Sequence, residues 1–260
     1  VKDIIAESLD KFILETDEER APDGKWHPSS MFQCARMNVL SIRGVIPTSS
    51  PDAQAKRIFK IGKLYHALVQ DALPRHPKIV ADYPEFRIEV KEWNVVGAGD
   101  ALIELDDGDW YVVEIKSTKS LKYTPKEDHV KQASVYFTAA RDFGVYVEQS
   151  LTGDERYEDE PLNFIPPLGN KLKGIILVYL NKNDLEIKQY YYPYDPKWRK
   201  GIEARVEELD KYRLVQVEEL PPVLPLDKGK PNWYLRYCNY RGSGFCCADV
   251  GWEPQEDDEW

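Results

Sequence analysis

The densest chemistry in the chain lies between Gly97 and Lys116. It runs Gly97-Ala98-Gly99-Asp100, a turn at Asp106-Asp107-Gly108-Asp109, then Val112-Val113-Glu114-Ile115-Lys116. Two carboxylates and a lysine on adjacent short strands suit a site that holds a hard divalent cation and stabilises charge on a phosphate. Whether they meet depends on register. A three-residue loop, Asp106 to Gly108 with Gly108 left-handed, sets Leu105 against Asp109 and Asp100 against Glu114 on one side of the sheet. A two- or four-residue loop sends them to opposite faces unless a bulge intervenes. Lys116 shares the face of Glu114 because strand side chains repeat every two residues. An exposed charged hairpin is the alternative, but Val112, Val113 and Ile115 embed Glu114 in an apolar strand, where an acid needs a partner.

Upstream, His66 in Gly62-Lys63-Leu64-Tyr65-His66 offers an imidazole that can complete a metal site with Asp100 and Glu114. A lone helical histidine is also a common surface or hydrogen-bonded residue. Downstream, His129, Gln132 and Tyr136 stand at i, i+3 and i+7, one face of a helix. An amide and a phenol there suit the orienting of Lys116 or of a phosphodiester. A polar face turned to solvent is the alternative, above all for His129.

Taken together, His66, Asp100, Glu114-Ile115-Lys116 and Gln132-x-x-x-Tyr136 resemble, in order and approximate spacing, the RecB-like branch of the PD-(D/E)XK nucleases. The resemblance implies an α/β (α+β) restriction-endonuclease-like core, a central mixed sheet flanked by helices, and a metal-dependent DNA exonuclease activity on single strands or DNA ends. It implies that His66, Asp100, Glu114 and the carbonyl of Ile115 hold Mg²⁺ or Mn²⁺. Lys116 would then activate water and stabilise the transition state, with Gln132 and Tyr136 shaping the site and touching DNA. Recombination, repair, replication and CRISPR adaptation all fit such an activity.

Four cysteines occur, Cys34, Cys238, Cys246 and Cys247, too few for a disulfide scaffold and clustered toward the C-terminus. They converge only if the C-terminal segment returns to the N-terminal helices. One cysteine before the core and three after it resemble the iron–sulfur subgroup of RecB-like nucleases, which implies a [4Fe-4S] cluster joining both ends of the chain. Ser29-Ser30-Met31-Phe32-Gln33-Cys34-Ala35-Arg36 resembles the start of that pattern. The closing spacing departs from it: Arg241 stands where a cysteine is usual and Cys246 is additional. Zinc suits four thiolates equally well by ligand type. An iron–sulfur electron carrier is a weaker third reading, because no reductase-like cofactor motif accompanies the cysteines.

These groups must be positioned by ordinary elements. Ile4, Ile5, Leu9, Phe12 and Ile13 form a helical apolar stripe that ends at Ala21-Pro22-Asp23-Gly24. A second helix is expected from Ser29 or Ser30 through Ser41, with Cys34 inside a helical turn. A third spans about 51–72, with Ile58, Ile61, Leu64, Tyr65, Leu68 and Val69 facing the core. Period-two alternation from Glu85 to Ser117 predicts a β-meander. A helix over 126–143, strands over 174–180 and 185–192, and a helix over 196–213 follow. The acidic stretch 148–171 is long enough to be a lid. The expected division is an N-terminal helical part (1–50), a nuclease core (51–217), a cluster-binding segment (218–252) and an acidic tail (253–260), all in one domain.

The chain has 260 residues, of which 42% are hydrophobic, and a formal net charge of −10. Disordered, fibrous and mini-protein classes are thereby excluded, and so is a uniformly basic nucleic-acid coat. The sign inverts locally: from Lys116 to Lys131 five lysines face two acids, Glu127 and Asp128. Lys119, Lys122, Tyr123, Lys126 and Lys131 are therefore expected to form a DNA-binding rim, with Trp110, Tyr123 and Tyr136 available to stack bases. The tail from Glu253 to Trp260 is either a solvated end or a dock for a replication or recombination protein. No apolar run is long enough to span a membrane and no signal peptide is evident, so no membrane partner and a cytoplasmic setting, the host's for a viral chain, are expected.

Overall fold

The computed structural model describes residues 4–16, 22–48, 53–148, 163–214, 220–221 and 238–240. Helices α1 (Ile4–Thr16), α2 (Pro28–Met31), α3 (Ala35–Ile42) and α4 (Ala53–Ala72) precede the first strand. The alternating stretches then form β1 (Ile79–Val90), β2 (Val95–Leu105) and β3 (Trp110–Thr118), followed by α5 (Glu127–Asp142). Short strands β4 (Val145–Val147) and β5 (Asn163–Ile165), long strands β6 (Leu172–Asn181) and β7 (Ile187–Pro193), and α6 (Lys197–Lys211) complete the order. The chain is α+β, and among the described residues the sheet is mixed, in the order β5-β4-β1-β2-β3-β6-β7. Only β3 and β6 pair in parallel there; the other neighbours are antiparallel.

Two compact units divide the chain. One comprises Trp26–Phe32 and Ile58–Ala204 and contains the sheet. Alternate residues of β3 look to its two faces, as a strand requires. Val113 and Ile115 join Ala101, Ile103, Val178 and Leu180 in an apolar cluster against Tyr65 and Val69 of α4, while Lys116 reaches Gln132 of α5. The Trp26 backbone brackets the start of β2, donating to the Asn94 carbonyl and accepting from the Val96 N–H at 2.9 and 3.0 Å.

The other unit gathers both chain ends, Val1–Lys25, Gln33–Arg57 and Arg205–Trp260. Arginines that cap open carbonyls fasten it. Arg36 donates to the Pro221 carbonyl at 2.8 Å, Arg43 to those of Arg213 and Tyr212 at 3.0 and 3.1 Å, and Arg205 to that of Gln33 at 2.7 Å. Arg57 pairs with Asp10. The unit boundaries fall at 57/58 and 204/205, and 26–32 belongs with the sheet.

Two expectations are corrected. The helix expected from Ser29 to Ser41 is two helices, because Cys34 takes a non-helical ψ of 118° and serves as N-cap of α3. Its carbonyl accepts from the Asn38 backbone at 3.1 Å and side chain at 2.9 Å, so Cys34 starts a helix and does not sit inside one. On α4 only Tyr65 and Val69 of the expected core face pack on the sheet; Ile58, Ile61, Leu64 and Leu68 are exposed. The stretch 148–171 holds β5 and a short 3₁₀ turn at Gly169–Lys171, while its acidic part, 149–162, lies outside the described residues.

Candidate functional site

The hairpin adopts the three-residue loop. Gly108 is left-handed at φ 82°, and the Leu105 N–H donates to the Asp109 carbonyl at 2.9 Å. The β2–β3 register pairs Glu104 with Trp110 and Ala101 with Val113, and its next step sets Asp100 opposite Glu114. There the ladder gives way to a side chain: Asp100 Oδ2 accepts the Ile115 N–H at 2.6 Å. Asp100 is thereby fixed by the strand that carries the other acid.

The glycines of Gly97-Ala98-Gly99-Asp100 make room for aromatic rings. A Cβ on Gly99 would lie 2.3 Å from Phe86 Cζ, and one on Gly97 would lie 2.8 Å from Pro28 Cδ and 3.2 Å from Tyr136 Cε1. Phe86 and Tyr136 meet edge to face, centroids 5.9 Å apart. Two residues on, Ala101 instead packs in the cluster beside α4. The pleat therefore changes phase around Asp100, opposite Glu85, which holds a left-handed φ of 54° within β1.

His66 of α4 reaches the carboxylates from one side, with Nδ1 3.1 Å from Asp100 Oδ1. From α5, Gln132 Oε1 accepts from Lys116 Nζ at 3.0 Å, and Lys116 Nζ donates to Glu114 Oε1 at 2.5 Å. Gln132 also bonds Tyr136. The six side chains and the Ile115 backbone therefore converge, all within the sheet-bearing unit.

Burial and neighbouring charges together set their charge states. It pushes Glu114 up to about 7, aided by Asp100 and opposed by Lys116 and His66. Burial would lower His66, but the hydrogen bond and charge of Asp100 prevail and raise it. Lys116 is likewise raised against its burial by Glu114 and Asp100. Tyr136 lies well above its ordinary value, through burial and then the charges of Glu114 and Asp100. It stays a neutral phenol.

Glu114 Oε2 is buried and has no hydrogen-bond partner. Such an oxygen is costly unless something positive meets it. Among the described residues no three His, Cys, Asp or Glu side chains stand as a ready-made metal cage. The donor set, one imidazole and two carboxylates of which one carries this orphaned oxygen, nevertheless fits a divalent cation by type.

Other expected residues fall differently. Tyr136 is only 3% exposed, so it shapes the site from beneath and does not present a face to DNA. Trp110 is buried and stacked on Tyr83, so it offers no platform either. Tyr123, 70% exposed, remains open. Lys119, Lys122, Lys126 and Lys131 are exposed; Lys131 pairs with Glu127 at 2.7 Å and Lys122 lies 5.5 Å from the centre of the Tyr123 ring. His129 is not turned to solvent: it stacks on Tyr179, its Nδ1 2.8 Å from the phenol oxygen. Burial, with the charge of Lys116, drives it down to about 4.

Sequence reasoning missed Gln70 and Glu85. Gln70 Nε2 donates to the Asp100 carbonyl at 2.7 Å and to Glu85 Oε1 at 3.1 Å. Its place one helical turn after His66 was a usable signal. Glu85 had none, since only the β1–β2 register brings it level with Asp100.

In the other unit, Cys34 and Cys238 are buried. The segment 238–240 returns to the α3 region: the Asn239 carbonyl accepts from the Thr48 N–H at 2.8 Å, and Tyr240 bonds Ser41. Cys246, Cys247 and the tail 253–260 lie outside the described residues.

No known family profile matches the chain, and no curated protein matches it. Among solved structures, the crystal structure of SSO0001 is similar over 95% of this chain and 98% of that one, at 18% identity and a TM-score of 0.49. A likeness at that level carries no argument about the site. No helix among the described residues is long and apolar enough to cross a membrane.

Proposed function

We propose that the chain is a divalent-metal-dependent DNA exonuclease of the RecB-like PD-(D/E)XK kind, acting on single strands or DNA ends. The observation that carries this reading is the buried, unpartnered Glu114 Oε2 beside Asp100, His66 and a lysine held by an amide. His66, Asp100, Glu114 and the Ile115 carbonyl would hold Mg²⁺ or Mn²⁺, which when bound stabilises charge on the attacking and leaving oxygens. Lys116, steadied between Glu114 and Gln132, presents its ammonium to the phosphate and to the attacking water. Gln132 fixes the lysine, and Tyr136 fixes Gln132. Lys119, Lys122, Tyr123, Lys126 and Lys131 would guide the strand.

The test is hydrolysis of labelled DNA with Mg²⁺ or Mn²⁺. Glu114→Ala and Lys116→Ala are each expected to lower the rate at least about 100-fold. Parental rates in both variants would end the assignment.

A DNA-end binding or adaptor subunit is the second reading. It is favoured by the Lys116–Glu114 ion pair, which already balances charge, and by the missing ready-made cage among the described residues. Metal-independent binding without cutting would select it.

For the cysteines we propose a [4Fe-4S] cluster on Cys34, Cys238, Cys246 and Cys247, with zinc as the alternative. The return of 238–240 to α3, with two buried thiols in one unit, supports it. Anaerobically purified protein should be brown and contain iron; a colourless, zinc-bearing sample selects zinc. A protein partner docking on residues 253–260 is tested by deleting them: unchanged partner capture and DNA affinity would remove the idea.

A further inference from the structure

The parallel register of β3 and β6 sets Thr118 opposite Asn181, so the next residues, Lys119 and Lys182, leave the sheet side by side. Two bonds tie the exits together: the Lys182 N–H donates to the Thr118 carbonyl at 2.8 Å, and Asn183 Nδ2 donates to the Lys119 carbonyl at 3.4 Å. The Tyr65 hydroxyl donates to the Lys182 carbonyl at 3.0 Å, and Tyr65 immediately precedes His66 on α4. The lysine pair is therefore anchored to the helix that serves the carboxylates and to the strand of Glu114 and Lys116.

The two ammonium groups sense one another. Lys182, half-buried, lies below its ordinary value through burial and then the charge of Lys119. Among the described residues neither lysine forms a salt bridge, whereas Lys116, Lys131 and Lys173 do. Two like charges held together without an acid are unfavourable until an anion joins them. Their place, outside the carboxyl ends of adjacent parallel strands, is where open sheets bind ligands.

We infer that Lys119 and Lys182 form a two-lysine seat for one backbone phosphate of the DNA strand, beside the phosphodiester held at Asp100 and Glu114. The inference rests on the nucleic-acid reading of that site and adds a position, Lys182, absent from the Lys116–Lys131 rim. Lysine serves here as a point charge on a flexible stem, which suits a phosphate whose angle varies along a single strand.

The test measures binding and not turnover: fluorescence anisotropy of the full chain with a labelled single-stranded oligonucleotide in EDTA, over a range of salt. Lys119→Gln and Lys182→Gln should each weaken binding several-fold and flatten the log–log salt slope in part, and the double variant should flatten it by about 0.7, the contribution of one phosphate. Lys182→Arg should keep the parental slope, which separates lost charge from a disturbed strand end. Lys188→Gln, an exposed change on β7, should alter nothing. Parental slopes in the Lys182→Gln and double variants overturn the inference. At matched ionic strength, inorganic phosphate should displace DNA no better than chloride. Displacement lost in the double variant would reassign the pair to free phosphate and overturn the strand assignment. Cutting is scored separately with Mg²⁺. Flattened slopes without cutting leave the seat standing and sink the nuclease; cutting with parental slopes does the reverse.

Discussion

The helices α4 and α5 bring side chains to the same carboxylates, yet they are built on opposite terms. In α5 every residue from Ala133 to Ala140 is buried, and its polar members are satisfied internally: Ser134 donates to the Lys131 carbonyl at 2.7 Å and Thr138 to that of Ser134 at 2.8 Å. In α4 the only buried residue is Lys56, and Leu64 is 68% exposed. The α5 side of the site is thus held in place by packing. The α4 side rests on the partly buried Tyr65 and Val69 and on single bonds, His66 to Asp100, Gln70 to the Asp100 carbonyl and Tyr65 to the Lys182 carbonyl. An embedded helix fixes geometry; a half-exposed one can adjust to what the site binds.

The comparison can be broken at several points. The largest effect is expected on the α5 side, where Tyr136→Ala removes a ring packed on Phe86 and Gly97 and should cost about 3–5 kcal/mol, measured by denaturant unfolding. Tyr136→Phe keeps the ring and should cost only about 1 kcal/mol, the bond to Gln132. A cost for the alanine no larger than this would mean the helix is not pinned there.

Gly99→Ala tests the same packing from β2. Its methyl would meet the Phe86 ring, so a loss of about 1–3 kcal/mol is expected, relieved by the compensating Phe86→Leu. An additive double variant would show that the two positions do not share the space.

The pH dependence follows from Glu114. Its native value is raised from 4.5 to about 7, so over that window the folded protein binds more protons than the unfolded chain. Stability contributed by this group therefore falls as pH rises through the window, while a divalent cation held there, as proposed, would compete with the leaving proton. Calorimetric Mn²⁺ affinity should rise up to about tenfold per pH unit there, and Glu114→Gln should abolish the rise. A flat profile in the parent would count against the proposed metal site at this oxygen.

The smallest effect belongs to the exposed face of α4. Leu64→Lys should change stability by less than about 0.5 kcal/mol, whereas a core position would respond several times more strongly. A large loss by thermal unfolding would mean that this face is covered after all.

The two helices also show why parts of the molecule were legible in advance. Spacing identifies an apolar face but not what covers it, so α4 and α5 read alike and fold differently. The Asp106-Asp107-Gly108 turn carried more information: a left-handed glycine in a three-residue loop fixes register, and register puts Asp100 opposite Glu114. Local period put Lys116 on the face of Glu114 and Gln132 on one face of a helix, and the fold brings the two together.

By itself the sequence determined the meander, the helix after it and the face that Lys116 shares with Glu114, and it reduced the pairing of the two acids to a choice of loop length, because turn geometry and side-chain period are short-range constraints. Only the tertiary structure decided that Tyr136 and Trp110 are buried, that Gln70 and Glu85 belong beside Asp100, and that Lys182 stands next to Lys119. Those facts depend on which strands become neighbours and how much water each side chain keeps, and the parallel pairing of β3 with β6 joins residues more than sixty positions apart.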